Sequence, residues 1–295
     1  MFEPTTAIIY VALVLFGLVL GSFAGASVWR LRARQLAADK KAGEPVDHKE
    51  YSQLKKLAHQ KLSSDRSRCL HCGYELRWYD LIPLVSWLSL RGRCRSCHKS
   101  IGLMEPLIEL GTALFFVLSY MFWPVAFTGP LQIADFIIWL IAGVGLAIMF
   151  AYDTKWFLLP DKINFAVIGL GLISAILMII GSPNVLDAII NVVGSVLVLS
   201  GIYFVLYMVS KGRWIGFGDI KLGLGLGLLL NDWKLALIAL FFANFIGCLI
   251  IIPLMISGKL KRNAHVPFGP LLIAGAIIAK LVGMGIAEFY TLSLM

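Results

Sequence analysis

Trp214-Ile215-Gly216-Phe217-Gly218-Asp219-Ile220-Lys221-Leu222 stands between two apolar runs, one ending near residue 209 and the next beginning at Asp219. An ionisable side chain at the edge of a hydrophobic stretch is costly and marks a functional site by default. The two glycines ahead of it, Gly216 and Gly218, let a backbone or a substrate come close. If the flanking runs are membrane helices, Asp219 sits where one of them meets the bilayer boundary. The rest of the sequence tests that condition.

Composition meets it. The chain has 295 residues, is 59% hydrophobic and has a mean hydropathy of +0.84. Soluble globular domains are far more polar, so the sequence describes an all-α polytopic membrane protein. Its charge is uneven. Residues 30–104 hold 16 Lys/Arg and 7 Asp/Glu, while the remainder carries 10 of each. A basic segment beside membrane spans follows the positive-inside rule. No nucleic-acid motif accompanies it, which excludes nucleic acid as the expected partner.

Apolar spans are expected near 7–28, 106–128, 131–152, 162–181, 185–209, 219–231, 233–256 and 267–290, eight in all. Crossing the hydrocarbon core takes about 20 residues, so 219–231 is short. The organisation follows: a first span (1–30), a cytoplasmic basic domain (31–104), and seven helices (105–295). Residues 35–64 are polar, and His48 and His59 are read as solvated. Met1 to Thr6 lacks the basic region of a signal peptide. Arg30, Arg32 and Arg34 put residue 30 inside and the N-terminus outside. Lys155, Lys162, Lys211, Arg213, Lys259, Lys261 and Arg262 fall in the other inside loops. Lys280, within the last span, is read as snorkelling to the interface. Asp153, Asp161, Asp219 and His265 then share one depth, at the cytoplasmic edge.

Four of the five cysteines form two pairs, Cys69-Leu70-His71-Cys72 and Cys94-Arg95-Ser96-Cys97, with 21 residues between them. Two such knuckles can close a tetrahedral zinc site. Redox dithiols are the alternative. His71 and His98 are neighbours, since four thiolates suffice. Cys248, alone in an apolar run, is expected to be a buried inert thiol.

Asp153 ends one span and Asp161 begins the next. An acid at a helix N-terminus caps free N–H groups, which gives Asp161 a structural reading, and the same reading is available to Asp219. Asp153 meets the unfavourable end of a helix dipole, which argues for function. Two aspartates in one low-dielectric pocket keep a proton between them. One can then take a proton from water while the other donates to a carbonyl oxygen. A transporter or channel using Asp153 or Asp219 as a proton or cation site is the competing reading, and a non-catalytic zinc-anchored platform a third.

Asp153 with Leu159-Pro160-Asp161, then Gly216-Phe217-Gly218-Asp219-Ile220-Lys221-Leu222 and Pro267-Phe268-Gly269-Pro270, resembles the type IV prepilin peptidase family. So do Gly21-Ser22-Phe23, the cysteine pairs and Ile82-Pro83-Leu84-Val85-Ser86-Trp87. The resemblance implies an aspartic endopeptidase of the cytoplasmic membrane that removes the basic leader of prepilins and pseudopilins, just after a glycine. It implies Asp153 and Asp219 as the catalytic pair, with Asp161 in support. Lys221 and His265 would shape the same edge. The resemblance also brings N-methylation of the new terminus with S-adenosylmethionine, through the N-terminal cytoplasmic region. Departures concentrate there: Ala24-Gly25 follows Phe23 where the family has Leu-Asn, Arg32 replaces an expected proline, and Asp80-Leu81 stands for Asp-Asn. The peptidase motifs are intact, and methyl transfer is left open.

Overall fold

The computed structural model describes residues 4–58, 66–260 and 266–293. His59, Lys261, Arg262 and His265 lie outside the described residues, and so do the readings placed on them. The described residues form helices joined by loops and turns, with two isolated β-bridges and no strand among them. Seven of its helices are long and apolar enough to cross a membrane, which makes this a multi-pass membrane protein. It divides into two compact units, residues 1–117 and 118–295.

In the first unit, helix α1 (Pro4–Lys41) runs on through Arg30, Arg32 and Arg34 without a break. Its 38 residues span about 57 Å, well beyond a ~30 Å hydrocarbon core. The polar half of α1 is covered by helix α2 (His48–Ala58). Leu54 and Leu57 of α2 pack on Ala33 and Leu36 of α1, and Arg32 donates to Glu50 at 2.6 Å. Asp47 starts α2 by accepting the N–H groups of Lys49 and Glu50, which hold its carboxyl below the usual carboxylate range. Residues 35–58, polar by sequence, are thus ordered against the first helix. Between the cysteine pairs lie a 3₁₀ turn (Trp78–Leu81) and the short helix α3 (Val85–Ser89). Helix α4 (Met104–Met121) follows.

The second unit contains α5 (Pro130–Trp156), α6 (Asp161–Gly181), α7 (Val185–Val196), α8 (Ile202–Ser210), α9 (Phe217–Leu230), α10 (Trp233–Ile256) and α11 (Gly269–Ser293). A π-turn, Leu197–Gly201, joins α7 to α8 into one 26-residue membrane span. The segment expected at 219–231 forms α9, which has only 14 residues, or about 21 Å. Its length is explained by its place. Leu222, Leu226 and Leu229 are fully enclosed, so α9 is packed among other helices instead of facing lipid. Gly223 makes this possible: a methyl group there would lie 2.3 Å from the Leu199 carbonyl oxygen of the π-turn.

Lys280 corrects the sequence reading. It does not snorkel. Its ammonium is buried, donates to the Leu229 carbonyl at 2.9 Å, and lies 3.9 Å from an Asp135 carboxylate oxygen. The rings of Trp123 and Trp139 flank it at 5.3 and 5.8 Å. Ser174 bridges Asn231 and Asp135, at 3.0 and 2.5 Å. A lysine that reads as stranded in an apolar run is therefore satisfied by two other helices, α5 and α9, and by the indole of Trp123. Removing one member of a buried pair leaves the other charge uncompensated. Lys280→Met is expected to lower stability in detergent by about 3–5 kcal/mol, with partial recovery in the double variant Asp135→Asn/Lys280→Met. Thermal unfolding of all four proteins measures the cycle. Cys248 also differs from expectation: it is exposed on the surface of α10.

Candidate active site

Asp153 occupies the last turn of α5, where its carbonyl accepts the N–H of Phe157 and that residue turns left-handed to end the helix. Its carboxylate is 5% exposed. The unfavourable dipole at that helix end is answered from elsewhere. The backbone N–H of Gly269, first residue of α11, donates to Asp153 Oδ2 at 3.0 Å across 116 residues of sequence. The positive end of α11 thus faces the carboxylate. A methyl group on Gly269 would sit 2.7 Å from the same oxygen, so only glycine allows the approach.

Asp219 is the third residue of α9, and its Oδ2 accepts the N–H of Gly216 at 3.3 Å. It therefore does take part in closing its helix start, as the structural reading anticipated. The charge of Asp153 acts on it as well, so the two acids occupy one neighbourhood although 66 positions separate them. Leu159 lies between their supports. Its side chain would meet a methyl group built on Gly218 at 3.1 Å and one built on Gly269 at 3.3 Å. Asn164, fully buried, donates from Nδ2 to the Gly218 carbonyl at 3.3 Å.

Asp161 does not cap its helix. Pro160 occupies the cap position, and the Asp161 carboxylate instead accepts from Lys221 Nζ at 2.6 Å. The same ammonium lies over the rings of Phe165 and Phe217, at 5.2 and 5.1 Å. Lys221 thereby ties the start of α6 to the first turn of α9, beside Asp219.

In the first unit the four cysteines converge. Cys69 and Cys97 are 3.9 Å apart, Cys72 and Cys94 4.0 Å, and all four sulfurs lie within 4.8 Å of one another. Each pair sits in the same small loop: the N–H of Gly73 donates to the Cys69 carbonyl and that of His98 to the Cys94 carbonyl, both at 2.9 Å. Gly73 and His98 both have positive φ, and the bridges Arg68 to Glu75 and Arg93 to Ser100 close the loops. A zinc ion with sulfurs at ~2.3 Å implies sulfur separations of roughly 3.8 Å, so the cluster has the size to hold a metal ion. Burial pushes the Cys69 thiol up to about 12, while the Tyr74 N–H brings Cys72 down to about 7.

The same unit encloses a cavity of about 200 Å³, lined among others by Trp29, Asp80, Arg95, Glu105 and Glu109. Trp29 donates its indole N–H to one Glu105 oxygen at 2.8 Å, and the other Glu105 oxygen is buried with no partner among the described residues. Glu109 accepts the N–H of Leu84 at 2.8 Å.

Two family models match the chain: the bacterial peptidase A24 N-terminal domain over residues 15–123, and the type IV leader peptidase family over residues 139–252. A prepilin leader peptidase/N-methyltransferase of Pseudomonas aeruginosa is 31% identical over 94% of this chain and 91% of its own length. The chain belongs to the type IV leader peptidase family. An Aeromonas hydrophila protein of the same description is 32% identical, covering 96% of this chain and 94% of the relative. A type 4 prepilin-like proteins leader peptide-processing enzyme of Escherichia coli is 32% identical over 94% and 95%. No solved structure matches.

The peptidase-family match covers Asp153, Asp161 and Asp219 but ends before Gly269. Sequence reasoning quoted Gly269 and Leu159 within motifs without placing them against the acids, and gave Asn164 and Glu105 no role. Signals existed. A glycine directly before Pro270 marks a helix start with free N–H groups. Asn164 is an uncharged polar residue placed where a span enters.

Proposed function

We propose that this chain is a membrane aspartic endopeptidase that cleaves the basic leader from prepilins or pseudopilins. Asp153 and Asp219 are its acid–base pair, and the site faces the cytoplasm from the inner membrane. The observation that carries this reading is the meeting of two acids at two helix N-termini, those of α11 and α9, whose first glycines both pack on Leu159.

The chemistry follows from one shared proton. The ionised aspartate takes a proton from water as the oxygen attacks the scissile carbonyl, and the protonated aspartate gives its proton to the carbonyl oxygen. The tetrahedral centre then collapses, its C–N bond breaks, and the amine leaves with a proton from the pair. Backbone N–H groups do not titrate, so the Gly269 and Gly216 donors keep both carboxyl groups aimed throughout. Gly216 puts no side chain against the Asp219 carboxylate, Gly218 makes room for Leu159, and the Asp161–Lys221 pair ties α6 to α9 next to that acid. A basic leader followed by an apolar helix suits a site at a membrane edge: the helix lies among the spans and the leader stays in water.

Gly269→Ala tests the arrangement without touching either acid. The added methyl group forces Asp153 aside, and a misplacement of about 1 Å costs on the order of 10²-fold in rate. Cleavage is expected to fall by that factor in kcat with KM little changed, measured on purified prepilin. Wild-type turnover in this variant would remove the role given to the α11 N-terminus.

The four cysteines would hold zinc, which supplies a closed tetrahedral crosslink for the knuckles and no chemistry. The first unit's cavity would take S-adenosylmethionine, which supplies an electrophilic methyl group when bound. The residues fit: the unpartnered Glu105 oxygen can accept from a hydroxyl or an ammonium, and Trp29 offers an aromatic face to a sulfonium. Co-expression with a prepilin, followed by mass spectrometry of the mature pilin, tests both activities. The expected product starts just after the leader's glycine and carries one added methyl group. An intact leader would overturn the peptidase reading, and a cleaved unmethylated product the methyltransferase one.

A further inference from the structure

Tyr203 has no assigned role, yet it is the most sharply unfinished residue near the two acids. Its side chain is 4% exposed and its hydroxyl is buried with no hydrogen-bond partner among the described residues. A buried hydroxyl left unpaired is unfavourable, so its persistence needs a partner that arrives later or an explanation in function.

The neighbourhood supplies the second observation. The Tyr203 ring meets Phe268 edge-on at 5.3 Å, and Phe268 directly precedes the Gly269 whose N–H holds Asp153. On the other side, the charge of Asp219 reaches the Tyr203 hydroxyl. Tyr203 thus lies within range of the charge on α9 while its ring braces the segment that fixes the acid on α5.

The backbone is built to put it there. Tyr203 follows the π-turn Leu197–Gly201 by two residues. A π-turn inserts one residue into the helical repeat and rotates everything after it, and such turns gather at functional sites. This one is fastened to α9 by two contacts close to Asp219: Ser200 donates to the Ile220 carbonyl at 3.0 Å, and the Leu199 carbonyl fills the space above Gly223. The rotation that follows carries Tyr203 to the interior.

We propose that Tyr203 is a third catalytic residue, whose hydroxyl donates a hydrogen bond to the oxygen of the tetrahedral centre formed from the scissile carbonyl. The inference rests on the peptidase reading of Asp153 and Asp219. No bond of the phenol breaks: it keeps its proton and donates to a lone pair of the same oxygen that the protonated aspartate protonates, a contact that strengthens as the carbonyl becomes tetrahedral. An interaction present only in the transition state raises kcat without tightening substrate binding. It also explains why the hydroxyl has no partner when no substrate is bound.

The test is Tyr203→Phe in the full-length enzyme, which deletes the hydroxyl and leaves the ring on Phe268. The expected result is a fall in kcat on the order of 10²-fold, as for other single donors to such a centre, with KM nearly unchanged. The thermal midpoint stays level or rises, because the deleted atom bonds nothing among the described residues. A peptide carrying a hydroxyl-bearing isostere in place of the scissile amide loses affinity by a similar factor, a readout independent of turnover. A kcat within about twofold of wild type would overturn the inference, since one transition-state hydrogen bond is worth more than that. So would a drop in thermal midpoint alongside kcat, which would make the hydroxyl a structural partner. Asp219→Asn, run in parallel, separates the two levels. If it still cleaves, the peptidase reading fails. If it is inactive and Tyr203→Phe is fully active, only the role of Tyr203 fails.

Discussion

Asp219→Asn and Asp153→Asn are each expected to lower prepilin cleavage by roughly 10⁴-fold, the upper end of what a positioned acid or base contributes. Asparagine keeps the size of aspartate and an oxygen that accepts a hydrogen bond. In Asp153→Asn that oxygen still receives the Gly269 N–H, and in Asp219→Asn the Gly216 N–H. Neither fold nor membrane insertion is therefore at stake. What disappears is the exchange of one proton between two oxygens, which an amide cannot perform at neutral pH. Initial rates on a purified prepilin, with thermal unfolding as the control, measure the effect. Asp161→Asn offers the contrast. Asp161 is exposed and meets Lys221 at the surface, where an ion pair is worth about 0–1 kcal/mol. Its loss is expected to cost about tenfold or less in rate, through looser placement of the α9 start. A variant of Asp219 that still matured prepilin would leave the pair without a chemical role.

Cys94→Ser should act on stability and spare turnover. Cys94 is the buried member of the cluster, 3% exposed, and serine is a poor ligand for a thiolate-binding ion. Metal binding by such knuckles is worth about 10–16 kcal/mol of apparent free energy, and it serves as folding energy for small loops with little core of their own. Loss of one ligand is expected to abolish stoichiometric zinc and to open residues 66–104 to proteolysis. Elemental analysis and limited digestion read these two effects. Cleavage per folded molecule should stay within about threefold, because the acids and their backbone donors belong to the other compact unit, residues 118–295, and sites that share no partner act independently. Chelation by a strong zinc ligand should reproduce the variant in the wild-type protein, and re-addition of zinc should reverse it.

Much of this was legible in the sequence because the signals are local. A run of about 20 apolar residues declares a span wherever its neighbours lie. Two Cys-x-x-Cys pairs point to a cluster that could hold a metal because each pair folds its own loop, and each loop here closes on itself through the Gly73 and His98 N–H groups. The Gly-Phe-Gly-Asp stretch declares its acid because a charge beside an apolar run is conspicuous in one dimension.

Other features depend on partners far along the chain, and the same one-dimensional reading misjudged them. Lys280 looked like a residue reaching for water, since only the fold brings Asp135, the Leu229 carbonyl and two indole rings around it. Asp161 looked like a cap, since nothing local shows that Pro160 takes the cap position and Lys221 takes the carboxylate. Asp153 seemed to face the wrong end of a dipole because the right end arrives with α11.

By itself the sequence determined that this is a helical membrane protein with a cysteine cluster and acids at a helix boundary, because hydrophobic length, ligand spacing and charge placement are properties of neighbouring residues. Tertiary structure alone decided which backbone N–H groups hold each acid, and that a tyrosine hydroxyl with no partner among the described residues is buried behind Phe268. Those contacts join residues up to 116 positions apart, and hydrogen-bond geometry exists only once the helices have packed.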